Sequence, residues 1–470
     1  MDGLTVAELA GLSGARPSGD PGVVLGPDVV IDSRRATPGS LFVALPGERA
    51  DGHDFAGSAV ERGAAAVLVT RELDLGVPQL LVPDALAGLT ALATALVARA
   101  RRGGLRVVGI TGSSGKTSTK DLVAAVLRAS GPVVAPVGSF NNEVGVPLTA
   151  TGVDAGTRYL VSEMGARALG DVAALCRIPP PDVGAVLNVG HAHLGEFGSV
   201  AAIARAKGEL VEALGPGGWA ALNAEDPYVA AMATRTTARL ASFGVTGRPD
   251  HGDLRVWAED RGADRLQRHR FLLCTDAGRA PVSLKVAGAH QVGNALAAAA
   301  VGLALGLEPA VVAGALSAAE PASRWRMELT ERADGLLVVN DAYNANPDSM
   351  AAALRSLAGL RRPGGRLIAV LGDMLELGPS AAAEHLAVGR LAAELGVEEL
   401  LTVGEYADTV AEGARSRGAL ATAVADRTAA VQRLHDLVSP SDVVLVKASR
   451  GLALESVAER LLAEGGGREA

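Results

Sequence analysis

Lys116 and Thr117 are preceded by Gly112, Ser113, Ser114 and Gly115 and followed by Ser118, in the run "TGSSGKTS". Those types in that order can hold a polyphosphate. Gly112 and Gly115 let the backbone turn sharply, so that its amides face an anion, and the start of the next helix adds a partial positive charge. Lys116 can reach the β- and γ-phosphates, and the Thr117 hydroxyl suits Mg²⁺. The spacing is G-x-x-G-K-T, because the longer pattern needs a glycine at position 110, which is Ile110. An apolar run, "RVVGI", stands before the loop, and the helix-periodic "KTSTKDLVAAVL" follows it. That strand–loop–helix setting separates it from an ordinary Gly/Ser turn. ATP or GTP binding is the prediction, which would serve a kinase, an ATPase switch or a ligase.

A bound triphosphate needs a metal with hard oxygen ligands. Glu163, in "YLVSEMGA", ends a predicted strand, at the edge where α/β sheets place ligands. Read by itself, it could equally be a loop-facing charge. "NVGHAHLGEFGS" puts His191 and His193 at the same edge. The His-x-His pair invites a zinc reading, but no HExxH or cysteine cluster completes it. Lys207, in "IARAKGEL", reads as one more solvated helix charge. Asn141 and Asn142, in "SFNNEVGVP", read as turn formers.

The elements that must carry these residues fall into three segments, in line with a length of 470 residues. At 49% hydrophobic and 20% charged, the chain can build large cores. A formal charge of -8 and 3% aromatic residues argue against nucleic-acid binding. Cys176 and Cys274 are too few and too far apart for a disulfide framework. No signal peptide is visible, and the Ala-rich runs "LAGLTALATALVARA" and "ALAAAAVGLALGL" are too short to span a bilayer. A cytoplasmic protein is expected, with no membrane insertion.

In residues 1–100, "VVLG", "LFVAL", "AAAVLVT" and "QLLVP" read as strands between turns. Residues 101–318 alternate strand and helix patterns, which predicts a parallel sheet with crossover helices. In residues 319–470, "GLLVVNDAY", "GRLIAVLGD", "ELLTVG" and "DVVLVKA" read as strands buried on both faces, a second doubly wound α/β unit.

The phosphate loop, Asn141-Asn142-x-x-Gly-x-Pro, Glu163, "NVGHAHLGEFGS", "AKGEL", "LNAEDP" and "GAHQVGNALAAAA" follow one another in an order that resembles the Mur ligase family. These are ATP-dependent enzymes that build the cell-wall peptide on a UDP-sugar. "DSRRATPGSLFVALPGERADGHDF", "DAYNANPDSM", "LGDMLELG" and "DVVLVKASRG" are similar to the members that add D-alanyl-D-alanine to UDP-N-acetylmuramoyl-tripeptide. The resemblance covers nearly the whole chain. It implies an N-terminal α/β UDP-substrate domain, a central P-loop ATPase-like domain and a C-terminal Rossmann-like domain. The implied enzyme is a monomer with small-molecule substrates, making the pentapeptide precursor of peptidoglycan through an acyl phosphate.

Position by position, the resemblance implies that Lys116 binds the γ-phosphate, while Thr117 and Glu163 hold Mg²⁺ and His193 helps to hold a second metal ion. Lys207 would be carbamylated and would position metal and phosphate. Asn294 would face the adenine end, and Arg326 and Asp341 would bring the C-terminal domain onto ATP. Asp32, Ser33 and Arg34 would bind the UDP-sugar. Asn141 and Asn142 would also meet substrate, and Tyr343, Asn344 and Asn346 would line the closed cleft. Related sequences often carry Glu where His191 stands, so His191 receives no role. "HQVGN" replaces the commoner His-Asn-x-x-Asn, and Asn340 precedes Asp341 where a second Asp is frequent. The rivals are another amide ligase of this architecture, such as folylpolyglutamate synthase, and a nucleotide-dependent switch. A switch has no need for a UDP-sugar domain.

Overall fold

In the computed structural model, which describes residues 1, 3–47, 50–192 and 194–463, the chain builds three sheets in sequence order. The first holds Arg16–Ser18, Gln79–Leu81, Ala66–Val69, Leu41–Val43 and Val29–Val30, all parallel except the first pair. The strand expected at "VVLG" is a single bridge, Thr5 to Val24. Its amides and carbonyls pair with the chain start instead: Val6 N–H donates to Val23 O, and Leu25 N–H to Leu4 O.

The second sheet has nine strands. Val133–Val134, Tyr159–Glu163, Arg106–Thr111, Val183–Val186, Trp219–Asn223 and Arg239–Gly244 lie side by side and parallel, as the alternating pattern predicts. Leu254–Ala263 continues parallel, and then Arg268–Thr275 and Gly278–Ala287 fold back antiparallel. The tight turns at Gln267 and at Asp276–Ala277 explain this departure, since short loops can join only antiparallel neighbours.

The third sheet runs Glu328–Glu331, Leu337–Asn340, Val443–Lys447, Leu367–Gly372, Glu399–Val403 and Leu420–Val424, antiparallel only at its first strand. Its three middle apolar strands are buried at every position, as expected of a sheet covered on both faces. Among the described residues no helix is long and apolar enough to cross a membrane.

Two packings fix the site. Helix Lys116–Arg128 turns Leu122, Val123, Val126 and Leu127 toward the Ala-rich helix His290–Ala304. The backbones lie so close that a Cβ on Gly302 would stand 2.6 Å from Val126 Cγ1. Each large side chain buried there stabilises by about 1.5–3 kcal/mol. Helix Pro347–Gly359 belongs to the third sheet but is held at both ends by the second body. Asn346, its N-cap, donates to Ser113 O at 3.5 Å, and its last carbonyl, Gly359 O, accepts from Gln267 Nε2 at 2.8 Å.

Candidate active site

The strand Arg106–Thr111 runs straight into the phosphate loop, and Gly115 opens the next helix at φ +79. That left-handed conformation favours glycine. Asn188, at the end of the neighbouring strand, holds the loop in shape. Its O accepts from Ser113 N–H at 3.1 Å and its Oδ1 from Ser114 N–H at 2.9 Å, while its Nδ2 donates back to Ser114 O at 3.2 Å. Ser113 Oγ accepts from Gly190 N–H at 2.8 Å. Lys116 Nζ arches across the loop to Gly112 O at 2.7 Å. All of Ser113 to Ser118 line one cleft of ≈ 800 Å³ between the second and third sheets.

Glu163 ends the strand beside the loop, as expected, and is buried at 1% exposure. Its Oε1 accepts from Ser139 Oγ at 2.7 Å and from Asn141 Nδ2 at 2.8 Å. Its Oε2 is buried with no partner. A buried, half-partnered carboxylate is unfavourable until a cation reaches it. Among the described residues no three His, Cys, Asp or Glu form a metal cluster. One carboxylate plus a hydroxyl, with phosphate oxygens completing the shell, suits Mg²⁺ better than a dedicated cage. Asn142, more exposed, caps the next turn by accepting from Gly145 N–H at 2.9 Å. His193 lies outside the described residues.

The sequence suggests a solvated Lys207, yet the residue is 2% exposed. Burial pushes its ammonium well below the usual lysine range, and the nearby Lys116 charge adds to the effect. Lys116 is lowered too, by burial first, with Glu163 opposing and Arg326 reinforcing. Lys207 thus lies buried near Lys116, which itself feels Glu163, and two neighbouring ammonium groups favour added negative charge between them.

The third body supplies the opposite wall. Arg326 reaches across to donate to Thr117 Oγ1 at 3.1 Å, with its guanidinium 4.1 Å from the Tyr343 ring centre. Asp341 accepts from Lys447 Nζ at 2.5 Å and from Met327 N–H at 3.0 Å, and Lys447 also donates to Asn344 O at 3.0 Å. Burial lowers Lys447, against the pull of Asp341. Asn346 uses its amide for the cap and for Ser113 O. Asp348 Oδ2 accepts the His191 N–H at 2.9 Å and its Oδ1 lies 3.5 Å from the His191 ring Nδ1, so His191 meets the third body through backbone and ring. Arg167 pairs with Glu376 at 3.1 Å, and Glu376 O accepts from Gly195 N–H at 3.3 Å.

Asn294 lies against the loop, where a Cβ on Gly115 would come within 2.5 Å of its Oδ1, and its Nδ2 donates to Gln291 at 2.9 Å. Asp32, Ser33 and Arg34 stand apart from this cleft. Asp32 caps the turn Ser33–Arg35 and pairs with Arg34 at 2.7 Å, which holds its carboxyl below the usual range. Sequence reasoning missed Ser139, Asn188, Asp348 and Lys447 as contributors. All four sit inside quoted motifs, and only their partners, distant in sequence, reveal their use.

Known families agree with this layout. The Mur ligase middle domain matches residues 110–302, the Mur ligase glutamate ligase domain 325–450, and the Mur ligase family catalytic domain 28–97. The UDP-N-acetylmuramoyl-tripeptide–D-alanyl-D-alanine ligase of Mycobacterium tuberculosis is 49% identical over 93% of this chain and 92% of that one. Its Escherichia coli counterpart is 36% identical over 93% and 94%. A crystal structure of MurF from Acinetobacter baumannii superposes with a TM-score of 0.86 at 32% identity, covering 98% of this chain and 99% of that one. MurF from Thermotoga maritima, solved with ADP, gives 0.77 at 29% identity over 94% and 98%. With a phosphate loop, a buried carboxylate and a C-terminal wall closing on both, the chain belongs to the Mur ligase family, among its UDP-N-acetylmuramoyl-tripeptide–D-alanyl-D-alanine ligases.

Proposed function

We propose that this chain joins D-alanyl-D-alanine to UDP-N-acetylmuramoyl-tripeptide at the expense of ATP, giving the UDP-pentapeptide, ADP and phosphate. The observation that carries the reading is the cleft itself. Lys116, Thr117 and Glu163 face it from one body, and Arg326 enters it from another.

A free carboxylate cannot expel oxide, so it must first be activated. In the proposed sequence the terminal carboxylate oxygen of the tripeptide attacks the γ-phosphorus, ADP departs, and an acyl phosphate remains. The two reacting groups are both anionic. Lys116 and Arg326 supply cationic groups where that charge gathers, acting through position and electrostatics. Thr117 and Glu163 would hold Mg²⁺, which when bound neutralises phosphate charge, and His193 would help to hold a second metal ion. The amine of D-alanyl-D-alanine then attacks the acyl carbon, and the tetrahedral intermediate expels phosphate.

Lys207 fits a further expectation. Its lowered pKa favours the neutral amine, which can add carbon dioxide and release one proton. The resulting carbamate would place a negative group beside Lys116 and orient metal and phosphate. Asn294 would face the adenine end, Arg326 and Asp341 would bring the third body onto ATP, and Asn141, Asn142, Tyr343, Asn344 and Asn346 would frame the substrate. Asp32, Ser33 and Arg34 would hold the UDP-sugar. The acyl phosphate is hydrolysable, so contact between the second and third bodies serves to exclude water. We take the working form to be a cytoplasmic monomer.

Phosphate release with ATP and Mg²⁺ tests the reading, with the two substrates added separately and together. Release that requires both, alongside a UDP-pentapeptide mass, supports it. Release without D-alanyl-D-alanine would return the assignment to another ligase or to a switch.

A further inference from the structure

Lys120 lies one turn along the phosphate helix from Lys116 and is 1% exposed, yet it lines no part of the cleft. Its ammonium meets Asp121 Oδ1 at 2.6 Å, Pro136 O at 2.8 Å, Gly138 O at 3.3 Å and Ser323 Oγ at 3.5 Å. A well-packed apolar residue would often serve stability as well as a buried ion pair. What the charge adds here is geometry. It gathers three segments that share no strand ladder: the phosphate helix, the turn at 136–138 and the linker into the third body.

That turn has little else to hold it. Its tip, Val137, is 81% exposed, and among the described residues the carbonyls of Pro136 and Gly138 have no other donor. One residue further on, Ser139 Oγ donates to Glu163 Oε1 at 2.7 Å. Ser139 Oγ also accepts at 2.9 Å from Asn141 Nδ2, which itself reaches Glu163 Oε1 at 2.8 Å. Both donors fall on one carboxylate oxygen, so together they decide where the unpartnered Oε2 points.

We infer that Lys120 is a positioning residue. Through the 136–138 turn and Ser139 it fixes the free oxygen of Glu163 relative to Thr117, on the helix that Lys120 itself belongs to, and so sets the affinity of the site for a divalent cation. The inference rests on the reading of Glu163 as a metal-facing carboxylate.

The test uses the full-length enzyme and two readouts other than turnover. One is the Mg²⁺ concentration for half-maximal binding of a non-hydrolysable ATP analogue. The other is hydrogen–deuterium exchange across residues 134–142. Lys120→Met should raise the Mg²⁺ requirement by roughly 10- to 100-fold, the range for losing a group that orients a metal ligand. It should also speed exchange in the turn. Ser139→Ala should reproduce the Mg²⁺ shift while leaving exchange at 136–138 slow. Glu163→Gln separates the two ideas. If it leaves the Mg²⁺ requirement unchanged, the metal reading of Glu163 fails. If it raises the requirement but Lys120→Met does not, the assignment of Lys120 is overturned. Should Lys120→Met fail to fold, Ser139→Ala decides, and an unaltered Mg²⁺ requirement there overturns the inference.

Discussion

Replacing Gly115 with alanine asks whether the phosphate loop works by shape. At φ +79 an L-residue is strained, at a cost of about 1–2 kcal/mol. This fold adds a second penalty. The new Cβ would stand 2.5 Å from Asn294 Oδ1. Asn294 is 7% exposed and tied to Gln291, so it has little room to retreat. Overpacking of this kind adds about 1–3 kcal/mol. The sum, about 2–5 kcal/mol, opposes the loop geometry that a phosphate needs. At 1.4 kcal/mol per tenfold it should weaken nucleotide binding by roughly 30-fold to several thousand-fold. Calorimetric titration with an ATP analogue and Mg²⁺ would compare wild type, Gly115→Ala, Asn294→Ala and the double variant. Asn294→Ala empties the contested space. In that background Gly115→Ala should lose only the backbone share, roughly 5- to 30-fold. Equal losses in both backgrounds would refute the steric argument, and no loss in either would refute the argument from shape.

Lys116→Ala should lower kcat by roughly a hundredfold or more without altering the thermal melt, as expected for a lost charge-stabilising donor. Near-normal turnover would remove Lys116 from the chemistry. Lys207→Ala should lose activity and recover part of it with added short carboxylates; failure of rescue would leave Lys207 as a cation. In carbon dioxide-free buffer the folded Lys207 is deprotonated at a lower pH than the unfolded one. Between those two pKa values the unfolded chain binds more protons, so stability should rise with pH by up to about 1.4 kcal/mol per unit. Lys207→Met should flatten that slope, as read from melts across pH 7 to 10. Arg326→Ala removes the contact to Thr117 Oγ1 and should enlarge the radius of gyration in solution scattering. Unchanged scattering would mean that other contacts hold the third body in place.

Local signals were legible in the sequence, and long-range pairings were not. The phosphate loop, the strand-end Glu163 and the four strands predicted in the third sheet could be read because strand, turn and helix signatures act over a few neighbours. Lys207 could not be told from a surface lysine, because its burial depends on what packs over the helix. Asp341 and Lys447 are 106 residues apart, and neither needs the other until the sheet brings them together. The antiparallel hairpins at 254–287 carry a period-two pattern in "APVSLKVA", whose burial alternates in the structure. The helix–strand rhythm of the preceding residues masked it.

The helix Pro347–Gly359, pinned at both ends, behaves as a strut, and its two pins differ in kind. The forward pin rests on Ser113 and on the backbone of His191, groups of the phosphate loop and its neighbour. The rear pin rests on Gln267, at a hairpin tip far along the sheet. Only the forward pin shares its footing with the nucleotide site. If turnover loosens only the forward end, the hairpin tip is the fulcrum and the third body should swing as a lever about it. A pair of spin labels near Gly359 and Gln267 should then keep its distance through turnover while a pair near Asn346 and Ser113 spreads. Equal spreading at both ends would replace the lever with a sliding joint.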